Sequence, residues 1–411
     1  MNGSSFKKVV EDALIENTAQ GIFNYLDKIE HERENYEKRW IWELLQNALD
    51  AAPPDRKIEI EIIENSDLLI FRHNGRPFES KEIAHLICHG STKKETDIGK
   101  FGTGFLTTHL LSRKIKIKGV NAENKKFIFL LDRNGTSPDE IKEHMNKTLE
   151  DYEKSITSND GLGDYTAEYE YPLTVSSLPT VKSGIRELTR ICPFLLAFSD
   201  KFDAIKIMST ESNVTFKLTN ENPNAVYIHK TIEEKNETTR ILHELWIVKD
   251  NDIEVAIKGK KQDDRVYQIE SLQGIPKIFL VFPLFGTQDL PFPTVVNSRK
   301  FEPTPERDGI YLGTGDANKI QQNKELLEKA IEMAIKLFSN INSNRWENIH
   351  TLLYLEYPPK KDWLDVDWYA ILLKKCIDEI FKLRGLKTQS GDFITLAEGF
   401  IPIVDFAANQ D

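Results

Sequence analysis

Glu43, Asn47 and Asp50 are the residues of this 411-residue chain whose types and spacing could do chemistry together. On a helix they stand at i, i+4 and i+7 and share one face. The carboxamide oxygen of Asn47 suits a hard cation such as Mg²⁺, which keeps most of its waters. A carboxylate one turn away, Glu43, can accept a proton from a water aimed at a phosphate. Taken alone, such a triplet is more often a solvated polar stripe.

Two further stretches carry chemical signals. His73-Asn74-Gly75-Arg76-Pro77-Phe78 follows a short apolar run and contains the turn dipeptide Asn74-Gly75. Gly99-Lys100-Phe101-Gly102-Thr103-Gly104-Phe105 has three glycines in six residues, with an apolar run to Leu111 behind it. Glycines let backbone N–H groups approach an anion, and a helix N-terminus adds a favourable dipole. Upstream, Ser91-Thr92-Lys93-Lys94 supplies hydroxyls and positive charge. Each stretch by itself describes an ordinary loop.

The elements that must position these residues follow from periodicity. Trp40, Leu44, Leu45, Ala48 and Leu49 recur at helical spacing, and Pro53-Pro54 ends the run. Residues 5–38 predict helices whose apolar face is Val9, Val10, Leu14, Ile22, Phe23 and Leu26. Strands are expected at 58–63, 68–71, 114–118, 126–131, 165–171 and 204–207, and helices at 80–90 and 183–199. Residues 136–160 read as a polar, helix-like surface insertion. Strands and helices that do not alternate strictly indicate α+β architecture, a two-layer α/β sandwich. From 210 to 297 the pattern turns to antiparallel strands, including one over 277–285. A basic loop and a helix at 322–338 follow, then two more helices within 341–411. Trp363 and Trp368 belong to the core of that last part.

In this order and spacing the three stretches resemble the GHKL superfamily of ATPases (gyrase, heat-shock chaperone, histidine kinase, MutL). The sacsin and chaperone-like branch is nearest, on Trp42-Glu43-Leu44-Leu45-Gln46-Asn47-Ala48-Leu49-Asp50-Ala51 and His73-Asn74-Gly75-Arg76-Pro77-Phe78. The likeness is strong over about residues 20–120 and thinner to about 210. It implies an ATP-binding domain of Bergerat type over 1–210, a transducer-like middle domain over 211–340 and a helical segment over 341–411, the front part of a longer protein. By position, Glu43 matches the water-activating base, Asn47 the magnesium ligand and Asp50 a carboxylate at the pocket's edge. Gly99, Gly102 and Gly104, with Ser91, Thr92, Lys100, Phe101, Thr103 and Phe105 around them, match the phosphate-binding lid. Gly75 and Phe78 belong to the nucleotide-binding turn, and Thr166 resembles a threonine near the base. Arg299, Lys300 and Arg307 are candidates for the cation sent to the γ-phosphate. Two positions depart from the pattern. His73 stands where the family has an Asp that accepts from the adenine amino group, and Pro77 replaces a glycine. A neutral imidazole can accept one hydrogen bond, so adenine recognition would depend on the tautomer.

The resemblance implies Mg²⁺-dependent ATP binding and hydrolysis, a homodimer formed on ATP binding, and a switch that clamps or remodels a protein or nucleic-acid client. An operon-encoded or C-terminal effector and a bacterial antiviral defence system are the implied setting. A non-hydrolysing nucleotide sensor is the alternative from another class. His31 resembles a kinase phosphoacceptor but lies too near Asn47 in sequence, and reads as a surface residue. Net charge is −11, which argues against whole-surface affinity for nucleic acid. The three cysteines, Cys88, Cys192 and Cys376, are far apart and suggest a reducing compartment. With no apolar leader and no spanning run, the expectation is a cytoplasmic protein without membrane contact.

Overall fold

Alternation organises the first half of the chain. Ile58, Ile60 and Ile62 are fully buried while Glu59 between them is half-exposed, as a one-sided strand requires. The computed structural model describes residues 3–88, 104–157, 162–222, 225–234, 237–261, 267–342, 346–353 and 357–399. The chain forms two units: Met1–Leu218 with His229–Ile241, and Thr219–Ile228 with Leu242–Asp411. The architecture is mixed α/β, with parallel and antiparallel strand pairs.

The first unit opens with helices α1 (Gly3–His31), α2 (Arg33–Tyr36) and α3 (Arg39–Asp50). Strands β1 (Ile58–Glu64) and β2 (Leu68–His73) and helix α4 (Ser80–Cys88) follow. After the 3-10 helix Gly104–Leu110 come β3 (Lys114–Val120), β4 (Lys126–Asp132), α5 (Pro138–Ser155), β5 (Ala167–Pro172), α6 (Leu178–Phe198), β6 (Phe202–Ser209) and β7 (Asn213–Asn222). The strand order is β7-β6-β1-β2-β5-β3-β4. Only the β1–β6 pair among these is parallel.

The register sorts residues by face. His73 lies opposite Ile60 on β1 and Ala167 on β5, all buried. Phe71 lies opposite Ile62 and Tyr169 on the same side. The other face is a lattice of charge. Arg72 binds Glu61 and approaches Glu168 at 3.5 Å, Lys118 binds Glu168 at 2.6 Å and also Glu170, and Lys206 binds Glu59 at 2.7 Å. Arg72 also lies over the Tyr165 ring, 4.3 Å from its centroid.

Two sequence expectations are corrected in this unit. Val9, Val10 and Leu14 are exposed, so the apolar face of α1 begins at the partly buried Ile15 and continues through Ala19, Ile22, Leu26 and Ile29. Residues 138–155 are not a surface insertion. Ile141 and Met145 of α5 are fully buried against α1 and the 3-10 helix, because their i, i+4 spacing gives even a polar helix one apolar stripe. Asn74-Gly75 lies in the expected loop after β2, with neither residue at positive φ.

The remaining elements are β8 (Ala225–Glu234), β9 (Glu237–Lys249), β10 (Glu254–Lys261), β11 (Tyr267–Ile269), β12 (Ile278–Leu280), β13 (Phe282–Pro283), β14 (Val295–Asn297), α7 (Ala317–Asn342), β15 (Trp346–Glu347), α8 (Val366–Ile380), β16 (Arg384–Lys387) and β17 (Phe393–Thr395). In the second unit β10 pairs antiparallel with β9 and β14. Its core joins Val255, Ile257 and Val296 to Leu327, Ile331 and Ala334 of α7 and Leu372, Leu373 and Cys376 of α8. The expected strand over 277–285 is broken in two. Val281 has φ +63°, rare for a β-branched residue, and its N–H is held by Asn297 Oδ1 at 2.8 Å. Beyond 341 the described residues hold one α-helix, a 3-10 turn at Ile349–Leu352 and the hairpin β16–β17 rather than two helices. Trp363 is buried, and a Cβ on Gly309 would strike its ring. Among the described residues no helix is long and apolar enough to cross a membrane.

Candidate functional site

Helix α3 is enclosed on nearly every side. Trp40, Ile41, Trp42, Leu44, Leu45, Gln46, Ala48 and Leu49 are all buried. What stays partly open is the stripe Arg39, Glu43, Asn47 and Asp50. The helix is pinned from below by Trp40, whose Nε1–H donates to the Thr180 carbonyl of α6 at 3.1 Å. Gly184, one turn along α6, has no room for a Cβ against the Trp40 ring. The polar stripe is thus presented by a fixed helix.

At one end of the stripe, the main chain at Gly104 passes directly against the Glu43 carboxylate. A Cβ there would fall on the carboxylate atoms. The last glycine of the glycine-rich stretch and the candidate general base are therefore neighbours, although 61 residues separate them in sequence. The 3-10 helix beyond Gly104 is secured by Thr107 Oγ1, which donates to the Gly104 carbonyl at 2.7 Å. Phe105 packs its ring 5.8 Å from Tyr169 and 6.2 Å from His109.

The other end of α3 meets the loop after β2. Arg76 N–H donates to the Ala51 carbonyl at 2.7 Å, satisfying an otherwise orphaned helix-end acceptor. Gly75 is required here, because a Cβ would lie 2.8 Å from that same carbonyl oxygen and 2.9 Å from His73 Nδ1. Thr166 clamps the loop: its N–H donates to the His73 carbonyl at 3.0 Å and its Oγ1–H to the Gly75 carbonyl at 2.9 Å. Glu59 N–H donates to Asn74 Oδ1 at 2.8 Å. The Arg76 guanidinium binds Glu82 in two-pronged fashion at 2.9 and 2.7 Å. That bond chiefly raises its pKa, and Asp50 adds to the same effect. Asp50, Arg76, His73, Gly75 and Thr166 are thus brought together at the C-terminal end of α3.

His73 itself is only 3% exposed. Burial, with the Arg76 charge adding, lowers its pKa to about 4, so the ring is neutral at ordinary pH. Its Nδ1 accepts the Gly75 N–H at 3.2 Å. Phe78 is placed elsewhere, its ring 5.5 Å from Phe127 and its N–H bonded to the Val120 carbonyl.

Ser91, Thr92, Gly99, Lys100, Phe101, Gly102 and Thr103 lie outside the described residues. The candidate cations Arg299, Lys300 and Arg307 belong to the second unit. Lys300 pairs with Asp252 at 2.5 Å, Arg299 is exposed, and Arg307 has φ +55°. Among the described residues no three His, Cys, Asp or Glu side chains form a group able to hold a metal ion. A metal at Asn47 would draw most of its ligands from phosphate and water, which suits Mg²⁺.

Sequence reasoning missed the supports of the site: Trp40 with Gly184, Arg76 with Glu82, and Arg56, which donates to the Asn74 carbonyl. The Trp40 support joins residues more than a hundred positions apart, and no local pattern marks such a pair. Comparison of the sequence with protein-family models and with curated proteins gave no match.

Proposed function

We propose that the first unit is a Mg²⁺-dependent nucleoside-triphosphate hydrolase of GHKL type, built on a Bergerat-type sandwich. One observation carries this reading: the Gly104 main chain lies against the Glu43 carboxylate. A glycine-rich phosphate loop and a general base are useful to each other only at such proximity. The dimensions support it too. From Glu43 to Ala51 the helix rises about 12 Å at its usual pitch, the scale of an extended nucleoside triphosphate. Phosphates would lie at the Glu43 end and the base at the His73 end. Asn47 would hold the metal, which when bound neutralises phosphate charge. Glu43 takes a proton from the attacking water, and Asp50 with Arg76 sets the electrostatics near the base.

On this reading binding and hydrolysis drive a conformational switch, with dimerisation on ATP binding, that clamps or remodels a partner. A role in bacterial defence and a cytoplasmic setting belong to the same proposal through the resemblance. The second unit is the transducer in that scheme.

The test is phosphate release with ATP and magnesium, wild type against Glu43→Ala. Loss of a general base lowers the rate by ~10²–10⁴-fold while nucleotide binding persists. Binding with equal background rates in both proteins would establish a nucleotide sensor instead.

A further inference from the structure

The hydrogen bonding of His73 bears on which base the site would accept. Its Nδ1 receives the Gly75 N–H, so that nitrogen carries no proton. In the neutral ring the single proton then sits on Nε2, which has no hydrogen-bond partner among the described residues. The ring is on the buried side of the sheet, level with Ile60 and Ala167, and T-shaped to Phe71 at 6.4 Å. Through Gly75 it abuts Ala51, at the far end of α3 from Glu43. Nε2 is not one of the fully buried polar atoms left without a partner, so it keeps some contact with solvent, where a ligand acceptor could meet it.

We propose that His73 meets the nucleobase as a donor through Nε2–H, and that the site therefore selects a purine with a keto oxygen at position 6 over one with an amino group there. This rests on the nucleotide-binding reading above. A carboxylate in this place could only accept, and would read the adenine amino group. An imidazole whose Nδ1 is engaged can only donate, and meets adenine's amino hydrogens as a like group. Guanine and hypoxanthine present an O6 acceptor instead. Tautomer control is local: Gly75 fixes it, and Thr166 and the Ala51 carbonyl fix Gly75.

The experiment measures affinity of the full chain for ATP, ITP, GTP and inorganic triphosphate with magnesium, in wild type and in His73→Asp. ITP differs from ATP only at the 6-position and the adjoining ring nitrogen. Wild type is expected to bind ITP on the order of 10-fold more tightly than ATP, and His73→Asp to reverse the order. ATP binding as tightly as ITP to wild type overturns the proposal while leaving the hydrolase reading intact. Failure of every triphosphate to bind, the inorganic one included, overturns both. Should His73→Asp not fold, imidazole ¹⁵N shifts in wild type decide the tautomer: a proton on Nδ1 of His73 refutes the donor assignment.

Discussion

Gly104→Ala separates the chemistry of this site from its stability. The new methyl group would occupy the position of the Glu43 carboxylate. That carboxylate is the far end of a flexible side chain, so it yields before the backbone does. Moving it off its rotamer costs ~0.5–1.5 kcal/mol. For a body of this size that is a fall in Tm of roughly 1–6 °C. On the proposed hydrolase reading the kinetic cost is far larger. Displacing a catalytic group by about 1 Å can lose 10²-fold in rate, and complete loss of a general base as much as 10⁴-fold. Phosphate release should therefore fall at least ~10²-fold, with chemical denaturation nearly unchanged. The double variant Gly104→Ala/Glu43→Ala should be no slower than Glu43→Ala alone, because both changes remove one function. A folded Gly104→Ala protein hydrolysing at the wild-type rate would refute the reasoning. So would losses that multiply in the double variant.

Two glycine-to-alanine changes should have opposite signs. Gly21 lies exposed within α1 with nothing near its missing Cβ, so Gly21→Ala should stabilise by ~0.5–1 kcal/mol. Gly184→Ala drives a methyl into the Trp40 ring and should destabilise by roughly 1–3 kcal/mol, despite the same propensity gain; urea titrations of both would show it. His73 gives a pH dependence. Its folded pKa of about 4 lies below its ordinary 6.5, so the unfolded chain binds the extra proton first. Its stabilising contribution is complete above pH ~6.5 and is lost as pH falls toward 4. Between pH 7 and 4 wild type should lose roughly 2–3 kcal/mol more than His73→Gln, and parallel curves would contradict the assignment.

The polar stripe on α3 was legible because helical spacing is local: Glu43, Asn47 and Asp50 share a face whatever surrounds them. The strands around it were legible for the same reason, since alternation of Ile with Glu and Lys needs no partner to be seen. The apolar stripe of α5 was overlooked because two residues, Ile141 and Met145, carry it in a polar helix. Val9, Val10 and Leu14 misled in the other direction, since apolar spacing cannot say whether anything packs there.

What the sequence determined by itself, then, was the set of chemical groups and the elements that carry them, because hydrophobic period and turn residues act over a few positions. Tertiary structure alone decided the rest. It closed every side of α3 but one, laid Gly104 on the Glu43 carboxylate, and brought Ala51, Gly75 and Thr166 around His73. It also assigned the imidazole proton, turning a residue that could accept or donate into one that donates. The reason is physical. Each of these outcomes depends on close packing between segments distant in the chain, and such contacts leave no periodic trace in either segment.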